Sequence, residues 1–342
     1  MDPMAPSPSL PAHMQLIQMA TGYRVSQALY AAAAIQLADH LSHGARSALE
    51  LAAVTNAHAP SLHRLMRVLA SLGVLTEVTQ RRFALTPLGE SLKSGAPGGA
   101  RSAVLTLAGP AFWRAWEHLL YSVQTGRTGW ERAWGKPLFE YFTEHPDEAS
   151  LLSETMVAFH GGEPPAVANA YDFSQVGCVV DVGGATGNLL GAILERHERV
   201  RGVLYDLPHV VRGAEGLLKA KGVLDRVTVI GGSFFEGAPT GGDVYVLSHV
   251  LHDWTDEKCL AILSTCRKAM SAGKRLLIVE MILPEGDELH PGKMLDLSML
   301  VGAGGQERTE EEYAALLARS GFSRSRTVRT ASPVSLLEAV AV

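Results

Sequence analysis

The second half of the chain alternates short apolar runs with helical stretches. Near-continuous apolar strands separated by helices are typical of a parallel sheet covered on both faces. Two further runs, 325–331 and 334–342, are separated only by Ser332–Pro333, which predicts an antiparallel hairpin at the end of the sheet. The pattern therefore predicts an α/β domain over 171–342 with seven strands. The five strands before the hairpin are expected at 178–183, 201–207, 227–232, 244–249 and 275–283.

The first half of the chain has helical periodicity instead. The pattern predicts a helix over 27–41, two short helices within 47–75 around the break at "NAHAP", and a hairpin formed by 73–78 and 81–86. This order indicates a winged helix within residues 14–100, preceded by a loose tail over 1–13. A Gly/Pro-rich linker, "SGAPGGA", ends this segment. Residues 101–170 are expected to be a helical connector, with its clearest helices over 112–123 and 148–160.

A winged helix suggests DNA binding. The polarity of its second helix decides whether DNA or a second copy of the chain is the expected partner. The pattern indicates that residues 60–72 are apolar almost all round, with few polar side chains, among them His63, Arg64, Arg67 and Ser71. A helix in the major groove needs donors and acceptors for base edges and phosphates. Residues 1–100 also carry only seven Lys and Arg against five Asp and Glu. We therefore predict no nucleic-acid partner and a homodimer formed through this N-terminal domain.

Composition narrows the class of protein further. A length of 342 residues favours two domains, and a net charge of −5 with a pI near 6.2 argues against a polyanionic partner. No run of 18 apolar residues predicts a membrane span, and the N-terminus lacks the basic start and apolar core of a signal peptide. Three cysteines favour reduced thiols, and Cys259 and Cys266 are expected to pack rather than bind metal. A soluble cytoplasmic protein without a metal site is the expectation.

A strand, a glycine-rich turn and a helix follow one another in "VVDVGGATGNLLGAILERH", residues 179–197. Glycines let a ligand approach the backbone, and a helix N-terminus offers free N–H groups. Asp206 ends the next predicted strand, 23 residues after Gly183. A carboxylate there suits the two hydroxyls of a ribose. The segment therefore predicts a nucleoside-binding site.

The spacing of the turn separates two kinds of nucleoside cofactor. The dinucleotide fingerprint G-x-G-x-x-G does not fit residues 183–187, whereas D-x-G-x-G-x-G fits with Ala185 in place of the middle glycine. The acid of this pattern, Asp181, is unfavourable beside a pyrophosphate and favourable beside an ammonium and a sulfonium. The turn favours S-adenosylmethionine, and a nicotinamide oxidoreductase stays as the alternative.

Six blocks then occur in an order that resembles one family. They are "VVDVGGATGNLL", "LYDLPHVV", "VIGGSFFEGAP", "DVYVLSHVLHDWTDEKCLAIL", "GKRLLIVEMILPE" and "GGQERTEEEY". Together they resemble the class I caffeic acid/hydroxyindole O-methyltransferases, here a small-molecule, bacterial-type member. The resemblance covers nearly the whole chain. It implies a Rossmann-like methyltransferase sheet, a dimerisation domain containing the winged helix, and S-adenosylmethionine as cofactor.

The resemblance also implies which residues bind the cofactor. Gly183 and Gly184 are expected under its methionine part, and Asp206 on its ribose. Ser233 and Phe234 are expected to flank the adenine, although Ser233 replaces an aspartate common in the family. Ser248 stands where plant relatives carry a lysine near the cofactor.

The resemblance assigns catalysis to the polar end of the fourth strand. His252 corresponds to the family's general base, and Glu280 and Glu307 to its acidic partners. A carboxylate bonded to one ring nitrogen fixes the tautomer and raises the basicity of the other. His249 is the alternative base, three residues earlier. Asp253 and Asp256 are expected to serve as caps and first-turn acids of the helix that follows.

The expected reaction is methyl transfer to a hydroxyl of a small aromatic or polyketide-like molecule. Some relatives perform hydroxylation, decarboxylation or cyclisation instead, and a DNA-binding regulator is a more distant alternative. The predicted acceptor pocket draws on side chains of both halves of the chain. Its candidates are Trp113, Met156, Phe159, His160, Asp296 and Met299.

Overall fold

The structure is a computed structural model that describes residues 10–342. These residues form two compact units, the first comprising the described residues up to Arg114 and Glu140–Gly161. The second comprises Ala115–Phe139 and Gly162–Val342. Of the tail expected over 1–13, residues 1–9 lie outside the described part, and the first helix begins at Ala12. No helix within 10–342 is long and apolar enough to cross a membrane.

The helices and strands follow one another in the order that the sequence pattern suggests. The helices are α1 Ala12–Ala20, α2 Tyr23–Ala34, α3 Leu37–Leu41, α4 Ala48–Thr55, α5 Ala59–Ser71, α6 Pro87–Glu90, α7 Arg101–Leu107, α8 Pro110–Trp116, α9 Leu119–Thr125, α10 Gly129–Trp134, α11 Leu138–Glu144, α12 Pro146–His160, α13 Glu163–Ala170, α14 Asn188–Arg196, α15 Ala214–Ala220, α16 Asp256–Ala269, α17 Pro291–Val301 and α18 Glu310–Arg319. The strands are β1 Arg46–Ser47, β2 Leu75–Thr79, β3 Arg82–Leu85, β4 Cys178–Val182, β5 Arg201–Asp206, β6 Val227–Gly231, β7 Val244–Ser248, β8 Arg275–Glu280, β9 Ile282–Leu283, β10 Arg308–Thr309, β11 Phe322–Arg329 and β12 Ser335–Ala341.

The first unit contains the predicted two short helices and hairpin. Helices α4 and α5 precede β2 and β3, which pair antiparallel, and β1 adds a third strand in the order β1-β3-β2. Helix α5 buries Leu62, Met66 and Leu69 in the core of this unit. Its apolar residues thus pack on one face, while Arg64, Arg67 and Ser71 are exposed on the other, so the helix is amphipathic and not apolar almost all round.

Two predicted helices are interrupted in the structure. The helix expected over 27–41 ends at Ala34 because Gln36 adopts a left-handed backbone, φ 54°. The break lets Leu37 and Leu41 enter the core, and such burial outweighs helix propensity. The helix expected over 112–123 is divided into α8 and α9. Gly129 packs against that break, since a Cβ on it would lie 2.6 Å from the Ala115 carbonyl oxygen.

The second unit is built on a seven-stranded sheet, as predicted. Its order is β11-β12-β8-β7-β4-β5-β6, and β12 pairs antiparallel with both β8 and β11. The remaining pairs are parallel. The chain runs outward from β4 to one side through β5 and to the other through β7. Ligands of such sheets bind at the carboxyl ends of the strands where this reversal occurs, here β4 and β7.

Alternating side chains of the strands enter two different cores. Val179 and Val246 belong to the cluster on one face of the sheet, and Val180 and Leu247 to the cluster on the other. Both faces are therefore covered, which explains why the strands are apolar at nearly every position. Polar side chains become possible only where the strands end, and the candidate site lies there.

Candidate active site

The glycine turn after β4 is pressed against the loop after β7. Gly183 has φ 74°, and its N–H donates to the Tyr205 carbonyl at 2.8 Å. A Cβ built on Gly183 would lie 2.8 Å from Cγ2 of Val250 and 3.5 Å from the Phe234 ring. Only glycine fits this position, because of both its conformation and its neighbours. The turn thereby lies against Phe234 and Val250. Val250 precedes His252 by two positions in the chain.

Asp206 lies beside the same turn. Its Oδ2 accepts a hydrogen bond from the Ala185 N–H at 2.8 Å, and its Oδ1 accepts one from the Leu207 N–H at 2.6 Å. Each carboxylate oxygen keeps a further lone pair, so the side chain can still accept from vicinal hydroxyls. Ala185 has φ 50°, a conformation that favours the glycine usual at this place in the family.

Asp181 does not face the surface of the turn. It is 1% exposed, and a Cβ on Gly184 would lie 2.5 Å from its carboxyl group, so Gly184 covers it. Neither of its oxygens has a hydrogen-bond partner among residues 10–342. Burial, together with the nearby Asp206, raises the pKa of Asp181 to about 7. Its predicted effect on a bound cation is therefore electrostatic through Gly184 and not a direct contact.

The other predicted cofactor residues are Phe234, Ser233 and Ser248, and they differ in their contact with this turn. Phe234 faces Gly183, and its ring centroid is 6.2 Å from that of Trp254. Ser233 is half-buried, and its Oγ accepts from the Phe235 N–H at 3.3 Å. Ser248 is the last residue of β7 and is half-buried. The aromatic ring is thus beside the turn, whereas the roles of the two serines stay predictions.

His252 is buried in a 3₁₀ turn, Leu251–Asp253, that follows β7. Its Nδ1 lies 2.8 Å from Oε1 of Glu307, a hydrogen bond between two buried side chains. Its Nε2 lies 3.7 Å from Oδ1 of Asp253, which is too long for a hydrogen bond. When Nδ1 carries a proton for Glu307, Nε2 is the nitrogen that can accept another.

Glu280, at the end of β8, both shapes this turn and charges it. Its Oε1 accepts from the backbone N–H groups of Val250 and Leu251 at 3.1 and 3.0 Å. Its Oε2 lies 3.6 Å from His252 Nδ1 and accepts no hydrogen bond within residues 10–342. The parallel pairing of β9 with β10 places Glu307, which precedes β10, next to this strand end. The three predicted catalytic residues therefore form one cluster.

The charges of the cluster determine the basicity of the imidazole. Burial disfavours its charged form, but the carboxylates of Glu280, Asp253 and Glu307 outweigh burial and raise the pKa of His252 to about 10. The pKa of Glu280 is itself raised, mainly by burial. Desolvation and neighbouring carboxylates thus oppose each other, and for the imidazole the carboxylates dominate.

Arg308 is a structural residue of the site that sequence reasoning missed. Its side chain is fully buried and donates to the carbonyls of Leu251 and Trp254 at 3.0 and 2.9 Å, the two ends of the turn that carries His252. It also pairs with Asp256 at 2.8 Å. The sequence feature that could have revealed it is its position directly after Glu307, because the short strand β10 positions both residues.

The two aspartates expected to cap α16 have different roles. Thr255 is the N-cap, Asp256 lies in the first turn as predicted, and Asp253 lies before the helix, inside the 3₁₀ turn. Burial raises the pKa of Asp253. The prediction that Asp253 caps the helix is therefore wrong. The 3₁₀ turn places its carboxylate beside the imidazole instead.

His249, the alternative base, is held differently. Its backbone is left-handed at φ 53°, and its Nε2 lies 2.7 Å from Oε2 of Glu163 on α13. Its Nδ1 lies 3.8 Å from Glu280 Oε2, and its ring centroid is 5.4 Å from that of His252. One nitrogen is thus bound to a carboxylate and the other faces Glu280. The assignment of His252 rather than His249 as the base stays a prediction.

The predicted acceptor residues are distributed over both units. In the first unit, the Trp113 ring centroid lies 6.4 Å from that of Tyr23, while Met156, Phe159 and His160 lie on α12, with Phe159 58% exposed. In the second unit, Asp296 on α17 accepts from the Glu307 N–H at 2.9 Å, so it holds the backbone of that residue. Met299 is half-buried on the same helix. Their contacts with an acceptor stay predictions.

Comparisons with known proteins show the family to which the chain belongs. An O-methyltransferase domain profile matches residues 116–323, and an O-methyltransferase dimerisation domain profile matches residues 17–94. Phenazine O-methyltransferase PhzM of Lysobacter antibioticus is 44% identical over 331 residues, which cover 97% of this chain and 97% of the relative. The first of these profiles spans more than half of the chain.

Solved structures extend the similarity to the fold. The crystal structure of LaPhzM has a TM-score of 0.92 at 44% identity, covering 97% of this chain and 100% of that chain. NcsB1 from neocarzinostatin biosynthesis, solved with S-adenosylmethionine and 2-hydroxy-5-methyl naphthoic acid, has a TM-score of 0.81 at 33% identity over 93% and 96% of the two chains. The chain belongs to the O-methyltransferase family and is an enzyme that uses S-adenosylmethionine as its methyl donor.

Proposed function

We propose that the enzyme methylates a hydroxyl group of a small aromatic molecule, with His252 as the general base. The observation that carries this proposal is the buried bond of 2.8 Å between His252 Nδ1 and Glu307, beside the glycine turn. The bond orients the ring and leaves Nε2 for the acceptor hydroxyl. Proximity and proton removal are the contributions that a protein can make to such a transfer.

Proton transfer from a phenol requires a matched base. A phenol has a pKa of about 10, so an unperturbed histidine of pKa about 6.5 accepts its proton with an unfavourable free energy of roughly 5 kcal/mol. The carboxylates around His252 raise its pKa to about 10, which removes most of this difference. The cluster of acids thus makes deprotonation of a phenol nearly neutral in free energy.

A base of such high pKa must also lose its own proton before each turnover. Val250, two residues from His252, contacts the glycine turn, so charge bound at that turn lies close to the imidazole. The imidazolium is disfavoured once positive charge occupies the turn, because like charges repel. Binding at the turn therefore prepares His252 as a neutral base.

The residues of the turn fit S-adenosylmethionine. When bound, the cofactor supplies an electrophilic methyl group on a positively charged sulfur. Asp206 is placed to accept from its ribose hydroxyls, Gly183 and Gly184 to admit its methionine part, and Phe234 to contact its adenine. The buried carboxyl of Asp181 has no counter-charge of its own, which suits a cationic ligand above Gly184.

An aromatic acceptor is supported by the relatives and by the site's chemistry. PhzM is named for phenazine methylation, and NcsB1 was solved with a hydroxylated naphthoic acid. A high base pKa suits weakly acidic phenolic hydroxyls, as the matched values above require. We therefore infer a fused or substituted aromatic ring carrying a free hydroxyl as the acceptor class.

The experiment is a direct assay of the purified enzyme with labelled S-adenosylmethionine. Hydroxyphenazines, hydroxynaphthoates and aminohydroxybenzoates form the acceptor panel, and both the methylated product and S-adenosylhomocysteine are measured. His252→Gln is expected to bind the cofactor normally in calorimetry but to lose about 10²–10⁴-fold in kcat. His249→Asn serves as the matched histidine variant. Near-normal turnover by His252→Gln would exclude it as the base.

The same assay distinguishes the alternative reactions. Transfer to an amine in preference to a hydroxyl would show that the acceptor class is different, while the family assignment would stand. Conversion of an acceptor without release of S-adenosylhomocysteine would indicate hydroxylation, decarboxylation or cyclisation instead. The presence of His252, Glu280 and Glu307 together supports methyl transfer, because the two carboxylates make the imidazole a stronger proton acceptor.

We further propose that residues 14–100 form the dimerisation domain of a homodimer and that residues 171–342 form the catalytic domain. The dimerisation profile over 17–94 supports this division. Large apolar side chains of α1 are also exposed, among them Leu16 at 67% and Ile17 at 52%. Such an exposed apolar surface is typical of a protein–protein interface. Light scattering is expected to give twice the chain mass. Replacement of Leu16 and Ile17 by Glu should produce the monomer, and an unchanged dimer would contradict the assignment.

A further inference from the structure

Three side chains of the second unit converge on one point beside the base. His249 Nδ1 lies 3.8 Å from Glu280 Oε2, and His252 Nδ1 lies 3.6 Å from the same oxygen. The three donor atoms all lie within 4.8 Å of one another. Two imidazoles and one carboxylate are the ligand set of many protein zinc sites.

The spacing of these atoms matches a metal-centred arrangement. Zn²⁺ binds nitrogen and carboxylate oxygen at about 2.0–2.2 Å, so ligands around it are separated by roughly 3.3–3.7 Å. The two nitrogen–oxygen separations, 3.6 and 3.8 Å, are too long for hydrogen bonds and close to this range. A small closure of the side chains is enough to complete the site.

A second observation points to a positively charged ligand at this place. Glu280 is 0% exposed, and its Oε2 accepts no hydrogen bond from any residue between 10 and 342. A buried carboxylate oxygen without a partner is costly. This oxygen is also the one that both imidazoles face, so a cation there would satisfy it.

The surroundings of His249 resemble those of a metal-binding histidine. Its far nitrogen, Nε2, lies 2.7 Å from the carboxylate of Glu163. Histidines that bind a metal commonly donate their other N–H to such a carboxylate, which fixes the tautomer and directs the other nitrogen at the metal. The left-handed backbone of His249 holds the ring in this position.

We propose that His249, His252 and Glu280 form a transition-metal site of Zn²⁺ type that reversibly blocks the enzyme. For the metal to bind, Nδ1 of His252 gives up its proton, and the bond to Glu307 is replaced by a bond to the metal. The ring then carries its remaining proton on Nε2, so this nitrogen cannot accept the proton of a substrate hydroxyl. The blocking effect rests on the proposed role of His252 as base, whereas metal binding itself does not.

The test measures binding and activity separately on the full-length enzyme. Co²⁺ titration is followed by its visible absorption, which is intense only in a tetrahedral site, and Zn²⁺ titration by calorimetry. We expect one metal per chain, loss of methyl transfer at saturating Zn²⁺ and recovery with EDTA. His249→Asn tolerates the left-handed backbone and is expected to weaken Zn²⁺ binding more than 100-fold.

Two further variants make the result specific. Glu163→Gln is expected to weaken Zn²⁺ binding about 10–100-fold, because it removes only the carboxylate behind His249. His43→Ala, an exposed histidine of the first unit, serves as the control and is expected to bind and respond like the wild type. Activity of each variant is normalised to its own metal-free value.

Two results would overturn the proposal. They are the absence of a tetrahedral Co²⁺ spectrum, and Zn²⁺ inhibition that persists unchanged in His249→Asn. These outcomes leave the methyl-transfer assay with EDTA unaffected. A failure of the metal site is therefore distinguishable from a failure of the proposed function.

Discussion

Replacement of Arg308 by methionine tests whether the guanidinium of Arg308 holds the turn that carries His252 in place. The guanidinium is fully buried and donates to the carbonyls of Leu251, Trp254 and Gln306, as well as to Asp256. Methionine fills a similar volume without any donor. The variant removes the hydrogen bonds while keeping most of the packing, so the observed loss reports the polar network.

The expected size of the effect follows from burial and geometry. Asp256 is half exposed, so the cost comes mainly from the carbonyls of Leu251 and Trp254, which lose a buried donor at about 1–3 kcal/mol each; the total is then about 3–5 kcal/mol. The second unit has roughly 200 residues, for which the entropy of unfolding is about 0.4 kcal/mol per degree, so its melting temperature is expected to fall by about 7–12 °C. A displacement of His252 by about 1 Å is expected to lower kcat about 100-fold.

Calorimetric melting and steady-state kinetics give the two readouts. Affinity for S-adenosylmethionine should change less than kcat, because Arg308 contacts the base-bearing turn and not the glycine turn. Arg329→Met, on an exposed arginine of the same unit, is the control and should remain within about 0.5 kcal/mol of the wild type. An Arg308→Met enzyme with wild-type melting temperature and kcat would refute the reasoning.

Four further predictions follow from single contacts. Glu307→Gln removes one carboxylate from the imidazole, so the lower limb of the pH–rate profile should move to lower pH and kcat at its plateau should fall. Because the pKa of His252 is raised to about 10, its stabilising contribution is complete below about pH 6.5 and is lost as pH rises through 10. Denaturation midpoints of His252→Gln should accordingly decline less over that range, and an identical decline would contradict the raised pKa. Ala185→Gly relieves a left-handed alanine, φ 50°, worth about 1–2 kcal/mol, against about 0.4–1 kcal/mol of added chain entropy, so denaturation should show unchanged or slightly higher stability. Asp206→Asn should weaken cofactor binding at least tenfold in calorimetry, and it should also lower the melting temperature of the unliganded enzyme, because the amide can accept only one of the two backbone N–H groups that the carboxylate accepts.

Much of the catalytic domain was predictable from the sequence, for a physical reason. A sheet covered on both faces requires apolar residues at nearly every strand position, so its strands stand out as runs bounded by glycine and polar residues. The final hairpin was predictable from Ser332–Pro333 alone. Helix ends were less predictable where burial decided them, as at Gln36, because the alanines on either side favour a continuous helix.

The candidate site was predictable only in part. The resemblance suggested His252, Glu280 and Glu307, which the structure brings into one cluster. Spacing could not suggest Glu163, because it reaches His249 from a helix 86 positions earlier in the chain. Such contacts depend on how distant elements pack, and a local pattern contains no information about them.

The buried carboxyl groups of Glu280 and Asp181 affect both the proposed base, His252, and the proposed place of the methyl donor. Glu280 Oε2 and both oxygens of Asp181 lack hydrogen-bond partners among residues 10–342, and the loop and turn near them meet at Val250 and Gly183. Unpaired buried carboxyls favour a cation, and therefore a positively charged sulfur over a neutral one. Methyl transfer removes that positive charge. The same acids that favour the bound donor thus stop favouring its product, and, on the proposal that His252 is the base, the loss of the sulfonium charge also favours the protonated imidazole.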